Sequence, residues 1–173
     1  RIEWNSTLNL YDDEEGTGKI VSEEYTFTEE GRKFTVMVTD VHVYDSTFNM
    51  YGGTLCAADG KQIVSGVYVN GGSFTMYGGK ISGNTANMGG GVYVLGDGFI
   101  MYGGEISNNT AKYYGGGVYN ARLNTIIAGG SIKNNTANDS PSGGIYMNQS
   151  ITLSGNPVIS GNEYGSNDGS FDI

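Results

Sequence analysis

The sequence predicts an all-β solenoid, and three observations carry that prediction. Four segments superpose: GVYVNGGSFTMYGGKISGNTANMGG from Gly66, GVYVLGDGFIMYGGEISNNTAKYYGG from Gly91, GVYNARLNTIIAGGSIKNNTANDSPSG from Gly117 and GIYMNQSITLSGNPVISGNEYGSNDG from Gly144, with starts 25, 26 and 27 residues apart. Each copy holds three short β-type runs separated by glycine pairs or single turn residues. The 173 residues contain 30 glycines and 2 prolines, so glycine is roughly one residue in six against about 7% in ordinary proteins, without the Gly-X-Y period of collagen. A period of this length means one coil per repeat, each burying its apolar edge against the next.

The elements follow in order. A degenerate copy runs from Ser6 to Ser22, and Asp40 opens a fuller one, DVHVYDSTFNMYGGTLCAADGKQIVS, 26 residues before Gly66. Between them Glu23 to Thr39 interrupts the repeat with the alternating run Lys33-Phe34-Thr35-Val36-Met37-Val38. It reads as an inserted strand or hairpin covering the first coil and blunting its open edge. The chain is thus one domain: an irregular N-terminal coil over 1–39, regular repeats over 40–162 and a tail over 163–173.

In the copy from Gly66 the three strands are Val67 to Val69, Phe74 to Tyr77 and Lys80 to Ser82, all with a period of two. Val67, Val69, Phe74, Met76 and Ile81 face in, while Tyr68, Thr75 and Tyr77 face out. Helix is disfavoured, because each interior glycine would cost about 1 kcal/mol. Coils stacked about 4.8 Å apart turn each position into a ladder. Phe48, Phe74 and Phe99 form one; Met50, Met76, Met101, Ile127 and Leu153 a second; Leu55, Ile81, Ile106, Ile132 and Ile159 a third. Asn84, Asn109, Asn135 and Asn162 recur three residues after the last of these, where their amides can bond to one another and to turn backbone.

On the strength of GGGVYV, MYGG, ISNNTA and that asparagine ladder, residues from about Asp40 to Asn162 resemble the right-handed parallel β-helix repeats of secreted and surface-anchored gut and rumen bacterial proteins. The resemblance implies a right-handed coil and an extracellular location. Proteins with such coils include adhesin stalks, pectin-active lyases and hydrolases, and non-catalytic carbohydrate-binding modules attached to plant-cell-wall enzymes such as xylanases. The choice among them falls to the outward residues.

One outward row, on the first strand, is His42, Tyr68, Tyr93, Tyr119 and Tyr146. A second, after the second strand, is Tyr51, Tyr77 and Tyr102, lapsing to Ala128 and Ser154. Tyrosine favours sheet surfaces and gains about 0.2–1 kcal/mol from cross-strand contact, so either row has a purely structural explanation. Against it stands the variable loop that closes each coil, Asn87-Met88 in one copy, Lys112-Tyr113-Tyr114 in the next and Asn138 to Ser142 in the third. Tyr113 and Tyr114 adjoin Tyr93 and Tyr119, with Asn70, Asn120, Arg122 and Asn148 alongside. Aromatic faces suit the C–H faces of sugars, and amide and guanidinium groups suit their hydroxyls. Asn120 replaces the inward valine of other coils: either the strand ends early there, or a polar group is needed near the site.

The expected ligand surface is therefore Tyr68, Tyr93, Tyr119 and Tyr146, walled by Tyr113 and Tyr114, with Asn120 and Arg122 as hydroxyl partners; Tyr51, Tyr77 and Tyr102 are a second candidate face. The expected function is non-catalytic binding of plant cell-wall polysaccharide, xylan first by resemblance, beside other domains of a longer parent chain. The alternatives are an adhesin or spacer segment and, more remotely, a lyase or hydrolase. Catalysis is disfavoured because glycoside hydrolysis needs two carboxyls flanking the bond, whereas Asp97, Glu105, Asp139, Glu163 and Asp168 occupy different repeat positions. Glu105 falls one coil from Lys80, an ion pair. An ice-binding surface would want flat threonine ladders, and Thr75, Ile100, Ile126 and Thr152 are mixed.

A formal charge of −9 argues against nucleic acid as a partner, and no run of eighteen apolar residues suggests membrane insertion. Neither a metal site nor a cofactor is expected. Asp12-Asp13-Glu14-Glu15-Gly16 invites comparison with a calcium loop, but without the alternating ligand spacing it reads better as a solvated acidic turn. The single cysteine, Cys56, reads as a small half-buried hydrophobe.

Overall fold

Valine, tyrosine, methionine and isoleucine recur at fixed positions, so a coil finds its own pattern in the next one, and the observed strand pairs are those of the repeat. Val67, Tyr68 and Val69 pair with Val92, Tyr93 and Val94; Phe74, Thr75 and Met76 with Phe99, Ile100 and Met101; Lys80, Ile81 and Ser82 with Glu105, Ile106 and Ser107. All are parallel. The structure is a computed structural model that describes residues 2–3, 7–10, 19–21, 25–29, 32–36, 41–57, 62–122 and 124–165. Among them there is no helix, and the stack is a right-handed parallel β-helix.

Three parallel sheets enclose the core, of ten, six and five strands, but they divide the coil differently from the sequence expectation. The first and second strands belong to one sheet. In the copies from Asp40 and Gly66 they are continuous, Val41–Met50 and Val67–Met76, bent at Gly71 and Gly72, whose φ of 69° and 76° side chains rarely adopt. A Cβ on Gly72 would run into the Ser46 backbone one coil below. From Gly91 onward a corner separates them, as in Val92–Val94 and Gly98–Met101, Val118–Asn120 and Thr125–Ile127, Ile145–Met147 and Ile151–Leu153. Lys80–Ser82, Glu105–Ser107 and Ser131–Lys133 belong to the six-stranded sheet.

The third sheet comes from residues to which the sequence reading assigned no strand: Gln62–Ile63, Thr85–Met88, Thr110–Tyr114, Thr136–Ala137 and Glu163–Tyr164. Its inward row is small, with Ala86, Ala111 and Ala137 fully buried. Glu163 and Tyr164 pair with Thr136 and Ala137, so this sheet extends two residues into the segment expected as tail.

The inward ladders are as the period of two requires. Phe48, Phe74 and Phe99 are fully buried and stack with ring centres 4.9 and 5.0 Å apart. The methionine and isoleucine ladders are buried through Ile127 and Ile132, whereas Leu153 is 46% exposed on the last described coil. The asparagine ladder closes as well. Each Nδ2 donates to the Oδ1 of the next, Asn84 to Asn109 at 2.9 Å, Asn109 to Asn135 at 3.0 Å and Asn135 to Asn162 at 3.0 Å. All four also donate to a third-strand carbonyl, that of Leu55, Ile81, Ile106 and Ile132 in turn.

At the N-terminal end Thr7–Leu10 pairs with 47–50 and Lys19–Val21 with 54–56, in the register expected of the degenerate copy. Tyr25–Glu29 and Arg32–Val36 form an antiparallel pair, a two-stranded sheet of its own that among the described residues pairs with no coil. The acidic run 12–16 and the tail beyond 165 lie outside the described residues.

Candidate functional site

Outward positions on the first strands bring the expected aromatic row together. His42 and Tyr68 have ring centres 5.1 Å apart, Tyr68 and Tyr93 5.3 Å, Tyr93 and Tyr119 4.7 Å, and Tyr119 and Tyr146 5.1 Å. The Tyr93 ring meets Tyr68 at 75° and Tyr119 at 81°, the edge-to-face arrangement that aromatic quadrupoles favour. All four tyrosines are half-buried. Burial pushes the Tyr93 hydroxyl above the ordinary phenol range, with Tyr119 and Tyr68 adding to it. Burial does the same at Tyr68 and Tyr119, so these rings are neutral donors and acceptors at physiological pH. Tyr44 also joins, 6.0 Å from Tyr68, a member the sequence reading missed because the first strand there continues past its expected end.

The two loop tyrosines part company. A register shift between the pairs Ala86↔Ala111 and Met88↔Tyr114 inserts one residue and brings Tyr114 to 4.6 Å from Tyr146 and 6.4 Å from Tyr119. Tyr113 is not in the row: its ring centre lies 4.8 Å from the Lys112 Nζ, and among the described residues no ring contact ties it to the others. The expected wall of two rings is one.

The second face is built differently. Tyr51, Tyr77 and Tyr102 are 41%, 45% and 53% exposed, yet their rings lie parallel, 4.7 Å apart at 3° and 5.4 Å at 16°. Adjacent ring faces cover one another.

Asn120 requires a correction. It is fully buried and cannot meet a ligand's hydroxyls. Its Oδ1 accepts from the Thr125 hydroxyl at 2.9 Å and from the Arg122 backbone at 3.4 Å, and its Nδ2 donates to the Gln149 carbonyl at 3.4 Å. The pair Asn120 and Thr125 stands where the preceding coil has Val94 and Phe99. The strand does not end early, since Val118–Asn120 matches Val92–Val94 in extent; the polar group is used to fasten the corner.

Behind that corner the surface is hollowed into a cleft of about 370 Å³, lined by Gly96, Asp97, Ala121, Arg122, Asn124 and Gln149. Four residues separate Asn120 from Thr125, but only three separate their partners Met147 and Ile151. The shorter upper corner leaves the lower one uncovered. Arg122 was expected at the site; Asp97, Asn124 and Gln149 were not, and the one-residue difference in corner length was the available signal.

Elsewhere, Glu105 receives Lys80 at 2.9 Å, Lys133 at 2.7 Å and the Ser107 hydroxyl at 2.7 Å. These bonds, Lys133 first and Lys80 next, lower its pKa from the ordinary 4.5 to about 2. A depressed carboxylate pKa stabilises the fold above the unfolded value and loses that contribution as pH falls. Wild type should therefore exceed Glu105→Gln in stability at pH 7 by about 1 kcal/mol, discounted for the half-exposed lysines. The gap should close between pH 4.5 and about 2. Equal unfolding midpoints at pH 7 would remove the cluster's role. Among the described residues no three of His, Cys, Asp and Glu gather at a metal-binding distance.

Compared with protein-family models, curated proteins and solved structures, the chain matches none.

Proposed function

We propose that the first-strand tyrosine row is a glycan-binding surface, and that the chain acts as a non-catalytic carbohydrate-binding module of a secreted bacterial protein. Plant cell-wall polysaccharide, with xylan first, is the ligand class. The observation that carries this reading is the row itself: Tyr68, Tyr93, Tyr119, Tyr146 and Tyr114 are linked ring to ring, one first-strand ring per coil. A sugar polymer lying along the axis would meet an aromatic contact at each coil. Continuity favours this row, which runs ring to ring from Tyr68 through Tyr146, over Tyr51, Tyr77 and Tyr102, which lapse to Ala128 and Ser154.

The non-catalytic part of the reading rests on carboxylate placement. Glu105, the carboxylate with the most displaced acidity among the described residues, has both oxygens held by lysines, which suits a support better than a proton donor. Against the binding reading stands a spacer or adhesin segment, favoured by half-burial of the row, since rings that satisfy one another need no ligand.

Native gels cast with soluble xylans, pectins, mannans and β-glucans separate the two. Retardation by one class is expected. Tyr93→Ala and Tyr119→Ala should each weaken binding roughly tenfold, equivalent to about 1.4 kcal/mol, while Tyr77→Ala leaves it unchanged. Absence of retardation across the panel would favour the spacer; loss of binding only in Tyr77→Ala would move the site to the second face.

A further inference from the structure

The cleft at the corner between first and second strands has features that a structural turn does not require. It opens at the C-terminal ends of the strands carrying Tyr93, Tyr119 and Tyr146, so it flanks the aromatic row across the same three coils. Its rim carries a guanidinium, a carboxylate and two amides, from Arg122, Asp97, Asn124 and Gln149, all exposed. Of the four Lys and Arg side chains between 62 and 165, Lys80 and Lys133 hold Glu105 and Lys112 lies over Tyr113. Arg122 alone has no charged or ring partner among the described residues.

The corner is also held from within. Asn120 fastens the Arg122 backbone, the Thr125 hydroxyl and the Gln149 carbonyl, while the Asn124 amide donates to the Asp97 carbonyl at 3.2 Å. Asn124 takes a left-handed φ of 71°, a conformation that asparagine tolerates better than most side chains. A buried polar pair has thus displaced a valine and a phenylalanine directly behind the cleft. Two successive coils are pinned where the corner lengths disagree.

We propose that this cleft is a subsite for one neutral sugar residue, a branch of a polysaccharide whose backbone lies along the tyrosine row. The inference rests on the glycan-binding reading of that row. Planar side chains that donate and accept in pairs match adjacent hydroxyls: Arg122 and the amide N–H groups donate, and Asp97 and the amide oxygens accept. A neutral polyol uses both charges. A uronate would gain at Arg122 what it loses at Asp97, in a chain of net charge −9. The cleft volume lies at the small end of ligand pockets, of order 300–1,000 Å³, which suits a single ring better than a chain. Asn120 is a positioning residue, acting through Arg122 and Gln149.

Amide-resolved NMR titration of the whole chain tests this with linear xylohexaose, the same backbone bearing one arabinofuranosyl branch, free neutral monosaccharides, and glucuronate. The branched probe should shift the amides of Gly96, Asp97, Ala121, Asn124 and Gln149 in addition to those of the row, whereas the linear probe shifts the row alone. Arg122→Ala should weaken the branched probe about tenfold, as expected for losing a charge-assisted hydrogen bond, and leave the linear probe unchanged. Asn120→Val with Thr125→Val removes both members of the buried pair. It should keep the unfolding midpoint yet lose the branched-probe preference, a result that a merely structural role would not give.

Linear and branched probes binding alike on the row would overturn the subsite and leave the glycan-binding reading standing. Shifts in the cleft with a free neutral monosaccharide, but none on the row with xylohexaose, would support the subsite and count against that reading. Cleft shifts with glucuronate alone would overturn the assignment to a neutral sugar. Silence with every probe would overturn both.

Discussion

Asn109→Ala should lower the stability of the stack by about 3–5 kcal/mol, the larger of the two core effects per atom removed. The side chain is fully buried and makes four bonds. Its Nδ2 donates to the Ile81 carbonyl at 2.9 Å and to Asn135 Oδ1 at 3.0 Å, and its Oδ1 accepts from the Asn84 backbone at 3.1 Å and from Asn84 Nδ2 at 2.9 Å. Alanine leaves the Ile81 carbonyl and the Asn84 N–H without these partners, in a turn closed to water. Each orphaned buried group costs about 1–3 kcal/mol, beyond the modest net value of the bonds themselves. The stack is quasi-one-dimensional, so the loss falls on both interfaces of the Gly91 coil. Urea unfolding beside Asn138→Ala, an exposed asparagine expected to change stability by no more than about 0.5 kcal/mol, would measure it. A cost below about 1 kcal/mol would mean that the ladder follows the fold instead of holding it.

That ladder was readable because an amide recurring at one position per coil has few uses other than bonding to its own copies. The valine, phenylalanine, methionine and isoleucine ladders were readable for a related reason: side-chain direction alternates strictly along a strand, so one correct register assigns every residue. The third sheet was not read, because Thr85-Ala86, Thr110-Ala111 and Thr136-Ala137 are two-residue signals with a side chain too small to register as core.

The site was half legible. A row of tyrosines on one strand must come together, as His42 through Tyr146 do. Which of Tyr113 and Tyr114 joins them depends on one inserted residue, and a repeat pattern does not say where a bulge absorbs an insertion. Asn120 shows the same limit. Its inward position followed from Val69 and Val94, but whether an inward polar group serves a ligand or a turn depends on its partners, and Thr125, Arg122 and Gln149 are brought to it by folding.

Phe74→Ala should cost about 4–8 kcal/mol, and comparison with Phe99→Ala isolates the reason. Phe74 is fully buried between two rings, Phe48 at 4.9 Å and 11° and Phe99 at 5.0 Å and 10°. Truncating a buried phenylalanine costs about 3–5 kcal/mol from lost transfer energy and the cavity left behind, and each lost ring pair adds about 0.5–1.5 kcal/mol. Phe99 is equally buried but has a ring on one side only, because its partner in the next coil is Thr125. Phe99→Ala should therefore be less destabilising than Phe74→Ala by about one ring pair, 0.5–1.5 kcal/mol. The ordering discriminates between two sources of core stability. If burial alone mattered, the two variants would unfold together; if continuity of the stack matters, the middle ring is worth more than the terminal one. Thermal and urea unfolding of both variants decides it, and a Phe99→Ala loss equal to or larger than that of Phe74→Ala would assign the ladder's contribution to burial.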